Sequence, residues 1–286
     1  MKKTISIITA LSLVGFLIYA ISFHKKEIPV EKPGKVVATA DYVKYFGAVP
    51  EVDKGMAYAF VIYFPSGKAP GKVVPFPFFT FDEDSLKKVA VERLLGGMDI
   101  GSYLGEFTTF PRGSRLLTIN DDQGTVTVNL SKELEAAPDA SAVRALVLTL
   151  RQFKGVKDVR IQVEGKERPL GIPAGSGDDS AIQQPSAPRL LSVTAMRDKG
   201  AANIEDVNAF FDRPVDIREL KLFTKDGQPC AGEMFHSVFD MAAVLKPKDP
   251  AQFKEHMPIR VQWKVADKLG RQAEGDSVWP LEVKEH

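Results

Sequence analysis

One cysteine, Cys230, is all the thiol chemistry that 286 residues provide. An internal disulfide framework and a thiolate metal cluster are thereby excluded. Cys230 follows Pro229 and has no His or carboxylate locally arranged to activate it, so it reads as a small, half-buried apolar residue. Charge of one sign is equally scarce. The formal net charge is +1 with acids and bases interspersed, and no basic run of the kind that grips phosphates marks a nucleic-acid binder. A Gly-rich phosphate loop, a His-Glu-x-x-His and a Gly-x-Ser-x-Gly elbow are all missing. Gly275-Asp276-Ser277 has the look of a hydrolase block, but no Asp-x-x-His follows it, and it reads as a strand-entry turn. Acidic residues form no apolar-flanked pair of the glycosidase kind. Asp82-Glu83-Asp84 lacks the glycine and distal Glu of a calcium loop and reads as a helix start. His236 and His256 stand alone. These absences argue against an enzyme and against any cofactor or metal.

Beyond residue 26 there is no long apolar run, and that isolates the one at the start. Lys2 and Lys3 precede an uncharged stretch, Thr4 to Phe23, closed by His24, Lys25 and Lys26. Twenty residues at about 1.5 Å rise match a bilayer's hydrocarbon thickness of about 30 Å. Ala38-Thr39-Ala40 lies too far downstream to be a cleavage site, and Ile18 spoils the nearer Ile18-Tyr19-Ala20. Residues 1–26 are therefore expected to be a retained single-pass anchor, with the remainder of the chain extracytoplasmic, at the outer side of a bacterial cytoplasmic membrane.

What remains suits two compact domains, with 44% apolar residues to fill their cores. Residues 27–55, rich in Pro, Lys and Glu, read as a spacer. Met56 to Phe64 is an apolar, aromatic run and reads as a central strand. "KVVPFPFFTF" carries two prolines that confine it to an edge or an extended aromatic arm. A helix is expected from Asp82 to a stop at Gly96-Gly97. "SRLLTIND" and "GTVTVNLSKEL" alternate on either side of a Gly-containing turn and predict a hairpin. In it Val126, Val128 and Leu130 face one side and Thr125, Thr127 and Asn129 the other. "DASAVRALVLTLRQFKG" predicts a second helix, burying Val143, Leu146, Val147, Leu150 and Phe153. Then "VKDVRIQVEGKERPL" predicts a strand, a Glu-Gly turn and a short return. Residues 171–188 are small and proline-rich and read as a linker. Residues 189–286 are short strands separated by Pro, Gly and Asp turns, the pattern of a β-sandwich with Trp263 in its core.

Three motifs stand out in the first domain: Pro-x-Gly-x-x-Leu at Pro111 to Leu116, Val-x-Val-x-Leu-Ser at Val126 to Ser131, and Leu-x-x-Phe-x-Gly-Val at Leu150 to Val156, with a closing turn at Val163, Gly165 and Lys166. In this order they resemble the GerMN domain of sporulation and spore-germination proteins, over residues 57–170. "DVNAFFDRPVDIRELKLFTKDGQP" and "MPIRVQWKVADKLGRQAEGDSVWPLEV" are similar to strands of CopC-like bacterial Ig domains; the copper ligands of that family have no counterpart here. The resemblances imply an α+β domain (residues 56–170), with two helices on one small, mainly antiparallel sheet, followed by an Ig-like sandwich. They imply a non-catalytic envelope protein, a scaffold or adaptor whose partner is another envelope protein or a second copy. The alternative is a peptidoglycan- or carbohydrate-binding module. Phe76, Phe78 and Phe79, together with Thr125, Thr127 and Asn129, are the candidate binding surface.

Overall fold

The computed structural model describes residues 34–98, 100–136, 140–167 and 179–285. The expected anchor, the first part of the spacer and residues 171–178 of the linker lie outside them. Among the described residues no helix is long and apolar enough to cross a membrane. Gly34–His286 is one compact unit.

Its first part is organised by β2 (Met56–Pro65), which has every residue but Met56 buried. Such a continuous apolar run needs cover on both faces. β2 is the centre of a three-stranded sheet between β1 (Lys35–Ala38), which runs parallel to it, and β3 (Val73–Thr80), which runs antiparallel. As expected, the proline-bearing β3 is an edge. Ile182 bridges to Val73 and the Gln183 amide donates to the Val73 carbonyl at 2.9 Å, so part of the expected linker covers that edge. Part of the expected spacer is likewise folded: β1 is followed by α1 (Ala40–Phe46), capped by the Thr39 hydroxyl and burying Tyr42, Tyr45 and Phe46. Aromatic side chains spaced three and four apart gave this segment a helical buried face.

α2 (Leu86–Gly96) starts later than expected because Asp82 accepts the amides of Asp84 and Ser85 in a separate lead-in turn, at 3.1 and 3.3 Å. β4 (Leu116–Asp122) and β5 (Thr125–Leu130) form the expected hairpin through the positive-φ pair Gln123 and Gly124. α3 (Ala140–Arg151) buries the residues its spacing predicts and returns the chain to β6 (Asp158–Val163), which lies parallel to β5; the short β7 (Lys166–Glu167) turns back on it.

One small, mainly antiparallel sheet with two helices is therefore corrected, among the described residues, to two sheets, each containing a parallel pair, and three helices. The parallel pairing follows from the crossover through α3. That helix also completes β2. β1 pairs with β2 only as far as Ala59, and beyond it the Gln152 side chain accepts from the Val61 amide at 2.7 Å while the Thr149 hydroxyl accepts from the Tyr63 amide at 3.1 Å. Helix side chains thus satisfy backbone donors that a further strand would otherwise take.

The second part is the expected sandwich. One sheet has the order β11-β12-β9-β8-β15 and the other β10-β13-β14, where β8 is Leu190–Arg197, β9 Asp206–Phe211, β10 Val215–Phe223, β11 Gly232–His236, β12 Ala242–Pro247, β13 Pro258–Asp267, β14 Gln272–Pro280 and β15 Glu282–Glu285. Trp263 packs edge-on against buried Phe211, centroids 5.4 Å apart. Opposite it, Gly275 leaves room for the indole, and Gly275-Asp276-Ser277 lie within β14 rather than in a strand-entry turn. Cys230 is half-buried, and burial pushes its thiol up from the ordinary value.

Candidate functional site: a cemented seam with an open rim

The two parts meet over a polar and aromatic seam. At its centre lies Asp212, in the turn after β9, almost fully buried. Its carboxylate accepts from the Tyr103 hydroxyl at 2.6 Å, the Arg189 amide at 3.1 Å, and Nε and Nη2 of Arg213 at 3.0 and 2.8 Å. Arg213, also buried, donates to the Ser186 carbonyl at 2.8 Å and lies 3.6 Å from Asp267. Its guanidinium sits 5.6 Å from the ring centre of Phe46 on α1. Asp267 then holds Arg271, whose Nη2 reaches the Tyr45 carbonyl at 2.8 Å and whose Nη1 reaches Pro185 at 3.2 Å. Buried charges persist only when paired and hydrogen-bonded; here the charges pair within the sandwich, and their remaining hydrogen bonds, from the Tyr103 hydroxyl and to the Tyr45 carbonyl, cross to the first part. Burial, with the Asp212 charge beside it, holds the Tyr103 phenol well above its ordinary value, so it donates at any ordinary pH. Beside it, burial works to raise the Glu106 carboxyl, but hydrogen bonds from Arg189 and Lys68 outweigh this and leave it lowered.

Backbone also meets backbone along the seam. Gly101 has φ +52, and a Cβ built there would lie 1.9 Å from the Leu191 carbonyl of β8. Only glycine allows that approach.

At the rim the chemistry changes. The β11-β12 hairpin reaches across, and Phe239 at its tip stacks face to face on Phe79 of β3, centroids 4.5 Å apart and planes within 10°. Phe81 flanks the stack at 5.4 Å. Phe81 is 56% exposed, Val238 60%, and Met234 and Phe235 of β11 are 44% and 47% exposed. All five residues of β11 are exposed, and the strand is the outer member of its sheet. Exposed apolar side chains therefore flank an open row of backbone donors and acceptors, Met234 and Phe235 on opposite faces of the strand.

The sequence-derived candidates are dispersed. Phe76 is buried against Phe64 and Tyr103 and offers no surface. Phe78 packs on Phe60 beneath Arg93. Phe79 carries the stack just described. Thr125, Thr127 and Asn129 are half-buried on the other, four-stranded sheet, where the Asn129 side chain accepts the Gly165 amide at 2.8 Å and fastens the β6-β7 turn. The structure does not bring the two sets together. Phe81, Met234, Phe235, Val238 and Phe239 escaped notice. Strand alternation was the available signal, since Phe79 and Phe81 share a face opposite to that of Phe76 and Phe78. His236 and His256 are both exposed, each beside a single carboxylate, Asp240 and Glu255. Among the described residues no three His, Cys, Asp or Glu side chains converge as metal ligands do.

An α+β part followed by a β-sandwich is the class that these elements define. Residues 61–169 match the family described as "Germane: Sporulation and spore germination". Among solved structures, the chain is similar to the first GerMN domain of the sporulation protein GerM from Bacillus subtilis, at 21% identity over 40% of this chain and 87% of that one, with a TM-score of 0.32. It is also similar to PcoC, a methionine-rich copper resistance protein from Escherichia coli, at 17% identity over 34% of this chain and 100% of that one, with a TM-score of 0.26. Comparison with curated proteins returns no match.

Proposed function

We propose that the protein is a non-catalytic, membrane-anchored scaffold of the bacterial envelope, holding its folded unit outside the cytoplasmic membrane and docking another envelope protein at the seam's rim. The observation that carries this reading is the open edge of β11 beside exposed Met234, Phe235, Val238 and Phe81. An edge strand with apolar neighbours can accept an extended segment: backbone groups supply affinity and alternate side chains supply selection. The seam supports the same reading, because a rigid body presents that edge at a fixed angle. The peptidoglycan reading rested on the Phe76-Phe78-Phe79 arm, and that arm is committed to packing. The family description adds a setting, sporulation or germination, for envelope assembly of this kind.

The test is in-cell photo-crosslinking from position 235, compared with position 127 on the polar sheet face. A discrete adduct from 235 that Phe81→Asp abolishes is the expected result. Equal labelling from both positions, or none from 235, counts against the proposal.

A further inference from the structure

A second surface, distant in chemistry from the rim, is the open cleft of about 650 Å³ between the end of α2 and the loop leading into β4. Its size is that of a small-ligand site. The loop contains the Pro111-x-Gly113-x-x-Leu116 motif, for which the proposed function has no use. The motif makes a tight turn: the Ser114 amide donates to the Pro111 carbonyl at 3.0 Å, the Ser114 hydroxyl donates to the same oxygen at 2.7 Å, and Gly113 takes φ +89. That φ at the third position is what a type II turn demands. Arg115 is then pinned by two bonds to Ser131, its amide donating to the Ser131 hydroxyl at 2.9 Å and its carbonyl accepting the Ser131 amide at 3.0 Å.

The turn thus sets the backbone of Arg112 and Arg115 on the loop side of the cleft, which both residues line with exposed guanidiniums. Neither has a hydrogen-bond or ion-pair partner among the described residues; Arg115 acts on Glu133 only through space. Most other arginines of the fold are engaged, as Arg189, Arg213, Arg260 and Arg271 show. The facing wall has the opposite polarity. It carries Glu92, held only by a 3.9 Å contact with exposed Lys88, and the C-terminal turn of α2, where backbone carbonyls point outward. Leu95, Phe110 and Leu116 line the space between.

We propose that this cleft binds a short peptide segment through its free carboxylate and a free amine. Arg112 and Arg115 take the carboxylate, and Glu92 with the end of α2 takes the ammonium. Paired donors of guanidinium suit a carboxylate. A phosphate group is doubly charged and would meet Glu92 unfavourably, whereas a zwitterion answers both walls. The apolar floor accommodates small aliphatic side chains. This site does not depend on the rim, and the two are separable by mutation.

The test is titration of the full chain in detergent with tri-alanine bearing free termini, followed through the amide signals of Gly113 and Ser114. Saturable shifts are expected. The C-terminal amide of the same peptide should bind at least tenfold more weakly, and Arg112→Ala combined with Arg115→Ala should abolish binding. Glu92→Gln should remove the preference for a free over an acetylated amine, and Phe235→Asp should leave binding unchanged. Both arginines are exposed, and an unaltered thermal transition checks that the double variant folds. Absence of binding at millimolar peptide, binding indifferent to the amide or to the double variant, or equal competition by inorganic phosphate would each overturn the assignment.

Discussion

The centre and the rim of the seam are built from different residues, charged at the one and apolar at the other, and behave oppositely. At the centre, Asp212 and Arg213 have side chains 0% and 4% exposed, and Asp212 answers four donors. At the rim, Phe81 and Phe235 remain about half exposed and the β11 backbone has no outer neighbour. A contact whose buried charges are all paired is cement, because opening it would strand a charge in an apolar setting. A contact that leaves strand edge and aromatic surface open has capacity left over. The difference assigns stability to the one and recognition to the other.

The largest effect should come from breaking the cement. Arg213→Ala leaves the Asp212 carboxylate buried without its main partner, a loss of about 3–5 kcal/mol. The wild-type chain should unfold in guanidinium as one transition, since its two parts share the seam. The variant should show two, because each part keeps a core of its own. A single transition with an unchanged midpoint would show that the ion network contributes nothing to the join. Gly101→Ala attacks the same seam sterically, with a Cβ driven into the Leu191 carbonyl. It should weaken the join even though no charge is altered.

Second in size is the link between centre and rim. Phe239→Ala removes the stack on Phe79 and the contact with Phe81. A stacked pair adds about 0.5–1.5 kcal/mol beyond its buried area, so the expected loss is about 1–2 kcal/mol by denaturant midpoint. The hairpin tip should also become faster in amide exchange. Leu would restore the midpoint in part, because it fills space without stacking.

How much of this was visible in the sequence follows from the range of the interactions. The hairpin, α3, the edge character of β3 and the sandwich strands are set by local period and turn chemistry, and they were legible. The α1 segment was hidden because Pro, Lys and Glu dominate its surroundings, while Tyr42, Tyr45 and Phe46 find their cover in β2 and β3, far along the chain. The parallel pairing of β5 with β6 depends on where α3 returns the chain, which periodicity does not encode. The seam was illegible for a stronger reason. Asp212-Arg213 reads as a surface turn until Tyr103, Arg189 and Asp267 arrive from more than twenty residues away on either side. The aromatic arm was noticed, but it was treated as one surface when strand alternation divides it into two faces.

A smaller stability effect, with a large one on binding, is expected at the rim itself. Met234→Asp, with the crosslinker kept at position 235, places a charge on an exposed edge and should change folding stability by less than about 0.5 kcal/mol. It should nonetheless eliminate the crosslinked adduct, since a charge pointing off an edge strand deters strand addition. Loss of the adduct together with a shifted midpoint would mean that the rim is part of the cement after all.

The smallest effect lies outside the seam and calibrates it. Asp276 on β14 meets Arg260 of β13 through two bonds, 2.7 and 2.6 Å, in a pair whose side chains are 50% and 43% exposed for Arg260 and Asp276. The hydrogen bond from Arg260, aided by Gln262, lowers the Asp276 carboxyl from 3.8 to about 2. Because the folded value lies below the unfolded one, the pair's contribution is complete above about pH 4 and fades as pH falls through about 2. Carboxyl-carbon NMR should find the Asp276 midpoint near pH 2 at low salt, and Arg260→Gln should return it toward the ordinary aspartate value. Salt should do the same by degrees, because exposed pairs are screened. The Arg213→Ala effect, arising from charges that salt cannot reach, should persist at the same ionic strength. If both faded together, the seam would be wetter than its geometry shows, and its cement would be no stronger than a surface ion pair.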